Sequence, residues 1–141
     1  MAERHPQDGD WIAFYGSLMR GQDGLGGLGI GDRLRFAGPC VLTGELYGRG
    51  HYPGLRHGDG RVAGELFALL DARVIETLDE FEGFDRNRPR DSLYLREYLP
   101  LALPENTSAW VYVYNYVPDA ADRIPSGDWR AHLEARGTAT K

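Results

Sequence analysis

The chain has 141 residues, enough to enclose one hydrophobic core and too few for two full domains. A net charge of −5 gives no basic field for a nucleic-acid backbone or an anionic membrane surface, and no apolar run is long enough to span a bilayer. A single cysteine, Cys40, leaves no internal disulfide to form, and with no apolar leader-like stretch at the start the expected compartment is the cytoplasm.

Residues 1–10 are polar and irregular and read as a loose terminus; one domain is expected over 11–136, with 137–141 as a tail. Trp11 to Tyr15 reads as a buried strand ended by Gly16 and Ser17. Six glycines between Gly21 and Gly31 then predict a loop that is either mobile or unusually turned. Within it, Gly24 to Gly29 matches the spacing of a dinucleotide-binding turn. Gly31 and Pro39 break any helix that should open there, however, and the acidic residue needed about twenty positions on is replaced by Gly48, Arg49 and Gly50. β-like runs follow at Leu34 to Phe36, Val41 to Tyr47 and Val62 to Leu69, separated by glycines and by Pro39 or Pro53. One helix is predicted from Asp71 to Phe81, with Asp71 as its N-cap and Gly83 as its stop. A polar loop over Asp85 to Asp91 leads to Leu93, Leu95 and Tyr98 to Leu103. Ala109 to Val117 is strongly β in pattern, with Trp110, Tyr112, Tyr114 and Tyr116 on one face, and Ser126 to Ala135 reads as a short terminal helix. Many strands, few helices and no βαβ alternation predict an α+β fold with a curved or barrel-like antiparallel sheet.

Chemistry concentrates in two places. At about 100° per residue, Val74, Ile75, Leu78 and Phe81 set the buried face of the helix. Glu82 falls roughly 50° from the centre of that stripe, whereas Asp79 lies roughly 110° away and Glu76 and Glu80 face outward. Glu82 either turns to water at a fraying end or, partly buried, has its pKa raised toward neutrality and serves as a general acid/base. Tyr15, Gly16, Ser17 and Leu18 are either an ordinary turn or a set of backbone N–H groups that surrounds an anion. Tyr94 and Arg96 alternate on one strand face and either bind a polar ligand or form a surface pair. Cys40, among apolar neighbours, reads as a packing residue, and His51 and His57 have no partners at metal-ligand spacing.

Seven motifs in order resemble the γ-glutamylcyclotransferase-like family, which includes γ-glutamylamine cyclotransferases and plant AIG2-like proteins. They are Tyr15-Gly16-Ser17-Leu18, Tyr52-Pro53-Gly54-Leu55, Val62-Ala63-Gly64-Glu65-Leu66, Leu78-Asp79-Glu80-Phe81-Glu82-Gly83, Ser92-Leu93-Tyr94-Leu95-Arg96, Trp110-Val111-Tyr112-Val113-Tyr114 and Ser126-Gly127-Asp128-Trp129. The resemblance implies a small mixed, mostly antiparallel β-barrel flanked by a few helices, with a cavity at one end. It further implies release of 5-oxoproline and a free amine from a γ-glutamyl amide, with Glu82 as the catalytic carboxylate and Tyr15 to Leu18 as the loop holding the γ-glutamyl group. Such a ring closure calls for no metal or cofactor. The expected partner is a small γ-glutamyl substrate, and the expected state a monomer or weak homodimer. The chain departs from the family pattern in its glycine-rich run, and contacts to the leaving amine are expected from Gly21 to Gly31 and Asp85 to Asp91. The alternative is a non-catalytic module that binds a small metabolite or a protein partner on the same scaffold.

Overall fold

The computed structural model describes residues 4–22 and 24–139. The strands are β1 (Trp11–Phe14), β2 (Leu34–Arg49), β3 (Tyr52–Leu69), β4 (Tyr94–Pro100) and β5 (Ser108–Tyr114). The helices are α1 (Gly24–Leu28), α2 (Val74–Glu82) and α3 (Trp129–Ala139), and a short 3-10 turn, Gly31–Arg33, precedes β2.

All five strands form one sheet in the order β2-β3-β1-β5-β4. Neighbours run antiparallel except β1 and β5, which are parallel. The α+β class and the mostly antiparallel sheet agree with the sequence reading; the closed barrel does not. The ladder is open, and among the described residues its two ends meet at an isolated bridge where Val41 of β2 pairs with Leu103, just past β4.

The runs read as separate strands between Leu34 and Leu69 are the arms of one long hairpin. Its register slips between Phe36 and Gly38 and again between Thr43 and Glu45. A bulge lets a strand bend without ending, so glycines that look like stops in sequence are bends in space. Pro39 is tolerated because β2 is an edge strand and its missing N–H need not serve a second neighbour.

β1 is the central strand, and Ile12, Ala13 and Phe14 are all buried. In β5, Trp110, Tyr112 and Tyr114 are buried as expected, but so are Val111 and Val113, because the curled sheet packs on both faces of this strand. α2 buries Val74, Ile75 and Leu78, while Phe81 stands half out of the protein rather than completing the stripe. The helix begins at Val74, later than predicted. The Asp71 carboxylate is taken by Arg73, through its N–H and guanidinium, instead of capping the first turn. The stop at Gly83 is as predicted: its φ of 68° is left-handed, and Phe84 N–H closes onto the Asp79 carbonyl at 2.8 Å.

The glycine-rich run is ordered differently from the expected loop. Its described part contains the single turn of α1, and Gly24 N–H donates to the Ser17 carbonyl at 3.0 Å. At the start of the chain, Gly9 N–H donates to Leu69 and Leu69 N–H to Asp10, so the end of the stretch read as loose is tied to β3. α3 is entered through Asp128, whose side chain accepts from Ala131 N–H at 3.0 Å, and it seats a fully buried Trp129.

Candidate active site

The exit of β1 is held from three sides. The Tyr15 hydroxyl donates to the Tyr112 carbonyl at 2.6 Å and accepts from Leu55 N–H at 3.1 Å, so one buried phenol joins β1 to β5 and β3. At Gly16 a Cβ would stand 2.5 Å from Pro53 Cγ, and only glycine allows this approach of chain to chain. Downstream, buried Glu65 of β3 accepts from Arg20 N–H at 2.7 Å and pairs with the guanidinium groups of Arg20 and Arg130. The turn between these anchors is therefore fixed. Its Gly16, Ser17 and Leu18 N–H groups have no acceptor among the described residues. Successive unsatisfied amides in a rigid turn favour an anion.

Glu82 is the last residue of α2 and lines the same cavity as the turn. No hydrogen bond or ion pair to its carboxylate exists among the described residues, and burial pushes its pKa up to about 7. An unpaired carboxylate in partly apolar surroundings favours its neutral form, and near pH 7 both forms are populated. Its charge is felt across the cavity. Burial holds the Tyr15 and Tyr112 phenols well above their ordinary range, and Glu82 adds to the effect in each.

The cavity encloses about 270 Å³. Tyr15, Gly16, Ser17, Leu18, Glu82 and Tyr94 all line it, so six of the site residues expected from sequence share one pocket. Tyr94 contributes its ring, since its hydroxyl donates to the Pro53 carbonyl at 2.6 Å. Arg96, expected to bind substrate, is not in the lining: its guanidinium is paired with Asp79, whose other oxygen accepts from the Tyr112 hydroxyl at 2.7 Å. Among the described residues, neither loop expected to meet the leaving amine contributes to the cavity lining; Tyr52, Pro53, Phe81, Leu93 and Tyr112 are there. All five lie in the motifs that carry the family resemblance, but none is singled out there as a site residue.

Cys40 is buried, and burial together with the charge of Glu65 pushes its thiol up to about 12, which leaves it inert. His57 pairs with Glu97 at 3.0 Å, away from the cavity lining.

Comparison with known proteins adds a second line of evidence. Residues 12–131 match the family described as Gamma-glutamyl cyclotransferase, AIG2-like. The Gamma-glutamylcyclotransferase family protein YtfP of Escherichia coli K12 is 36% identical over 85 residues, which span 60% of this chain and 66% of that protein. The solution structure of E. coli YtfP superimposes with a TM-score of 0.64 at 31% identity, covering 87% of this chain and 98% of that one. The crystal structure of an AIG2-like protein from Mus musculus shares the fold, with a TM-score of 0.66 at 22% identity over 87% of this chain and 89% of that one. The match starts in β1, ends in α3 and takes in both the turn after β1 and Glu82, and by it this chain belongs to the γ-glutamyl cyclotransferase, AIG2-like family.

Proposed function

We propose that the protein is a γ-glutamyl cyclotransferase that releases 5-oxoproline and a free amine, working on a small cytoplasmic substrate with Glu82 as general acid/base. The observation that carries this reading is the unpaired Glu82 carboxylate, raised to about 7, lining one cavity with a turn whose N–H groups have no acceptor among the described residues. In its ionised form Glu82 takes a proton from the substrate's α-ammonium. The freed amine attacks the γ-carbonyl of the same molecule, forming the ring C–N bond and placing negative charge on the carbonyl oxygen. The tetrahedral centre collapses, and the bond to the leaving nitrogen breaks as Glu82 gives its proton to that nitrogen. The carboxylate so regenerated takes the surplus proton of the ring nitrogen and passes it to the released amine, leaving neutral 5-oxoproline and an ammonium product. Holding the glutamyl chain folded supplies the effective concentration of the attacking amine, so the enzyme need offer no nucleophile of its own. The Gly16, Ser17 and Leu18 N–H groups hold the substrate carboxylate or the oxyanion, while the rings of Tyr15 and Tyr94 form walls. Arg96 acts from behind, through Asp79.

The test is 5-oxoproline release from a panel of γ-glutamyl dipeptides and γ-glutamylamines. Release is expected from at least one, with kcat/KM rising through pH about 7 as Glu82 ionises, and Glu82→Gln should lower kcat by about a thousandfold. Binding without product, unchanged by Glu82→Gln, would establish a non-catalytic module instead.

A further inference from the structure

Resting on the cyclotransferase reading, we infer that the leaving amine carries an apolar substituent and no charge of its own, and that Tyr52, Phe81 and Leu93 select it. Seven large hydrophobic side chains stand exposed among the described residues, and three of them, Tyr52, Phe81 and Leu93, line this one cavity. Isolated exposed hydrophobics are ordinary, whereas three converging from separate elements on one opening need a reason. They come from the start of β3, the last turn of α2 and the residue ahead of β4. Leu93 is fixed there by its N–H, which donates to the Gly83 carbonyl at 2.9 Å.

The chemistry puts the leaving group at this rim. Glu82 must reach both the α-nitrogen and the leaving nitrogen, so whatever the leaving nitrogen carries continues past Glu82. Phe81 is its chain neighbour, and the turn at Gly16 to Leu18 lies on the glutamyl side.

The rest of the lining says what the substituent cannot be. Among the described side chains, no lysine, arginine or histidine lines the cavity, and Glu82 is its only carboxylate. The hydroxyls of Tyr15, Tyr94 and Tyr112 are spent on Tyr112, Pro53 and Asp79. A carboxylate on the leaving group would lose water without gaining a cation among the described side chains and would share the cavity with Glu82. An ammonium would find one anion, the group that must be free to move protons. An uncharged alkyl or arylalkyl chain loses nothing on entering and covers three exposed side chains.

The experiment compares kcat/KM for 5-oxoproline release from γ-glutamylphenethylamide, γ-glutamylmethylamide, γ-glutamylphenylalanine and Nε-(γ-glutamyl)lysine. The phenethylamide is expected to exceed the phenylalanine and lysine substrates by about tenfold or more, the range that contacts in a hydrophobic pocket give. Leu93→Ser and Tyr52→Ser, both at exposed positions, should each lower the phenethylamide-to-methylamide ratio severalfold. A phenylalanine or lysine substrate turned over as well as the phenethylamide, or a ratio that neither substitution moves, overturns the inference while leaving the cyclotransferase standing. Absence of product from all four and from the wider panel overturns the cyclotransferase reading, and this inference with it.

Discussion

Glu82 is expected to weaken the fold at neutral pH. The folded protein keeps the Glu82 proton up to about pH 7, whereas the unfolded chain gives it up near the ordinary value of 4.5. Between those limits the unfolded state gains by ionising and the folded state does not, so stability falls as pH rises through the window. The full difference is roughly 3 kcal/mol at most, from the size of the shift. Glu82→Gln, which has no charge to lose, should therefore be more stable than the parent protein at pH 8 and about equal to it at pH 4. Urea unfolding at the two pH values reads this directly; a variant no more stable at pH 8 would mean that the carboxylate is not desolvated. A residue that costs stability where it stands and is nonetheless present fits a functional role better than a packing one.

One element, α2, carries the site, and it is fastened to the sheet by charge as well as by its apolar stripe. Asp79 is paired with Arg96 of β4 and accepts from Tyr112 of β5, with the Arg96 side chain only 8% exposed. Asp79→Ala leaves that guanidinium buried without its carboxylate and should cost roughly 3 kcal/mol, whereas Asp79→Ala with Arg96→Met should recover much of the loss. Urea midpoints of the two variants make the comparison. The helical period alone places Glu82 toward the core and Gly83 at the stop, because both follow from local geometry. It also puts Asp79 off the buried stripe, and nothing local tells that Arg96, 17 positions on, comes back to meet it. Arg96 thus looks like a ligand-binding residue in sequence and is an anchor in space. The long hairpin is misread for a related reason: a bulge and a strand end use the same residues, and only the partner strand distinguishes them. The cavity rim is the least legible part, since Tyr52, Phe81 and Leu93 reach it from three elements that no local pattern connects.

Across the whole molecule, the site is closed by contacts between residues far apart along the chain. β1 lies beside β5, and the Tyr15 hydroxyl meets a carbonyl 97 residues later. Glu65 reaches back to Arg20 and forward to Arg130. A chain stopped at Thr107 keeps β1 to β4 but lacks the strand that stands between β1 and β4 in the sheet order. It should show little native circular dichroism, whereas the full chain refolds cooperatively; a native-like spectrum from the fragment would show that β5 is dispensable. Pairings of such long sequence separation place folding on the slow side for a domain of this size, on the order of milliseconds to seconds. During synthesis the turn after β1 has to wait for β5, the last of the five strands in chain order, before its Tyr15 anchor on Tyr112 can form. At about 5–20 residues per second, the 97 residues between Tyr15 and Tyr112 make that delay roughly 5–20 s. Throughout it β1 can pair with β3 on one side only, and its other edge, which β5 will cover, stays open to association with other chains.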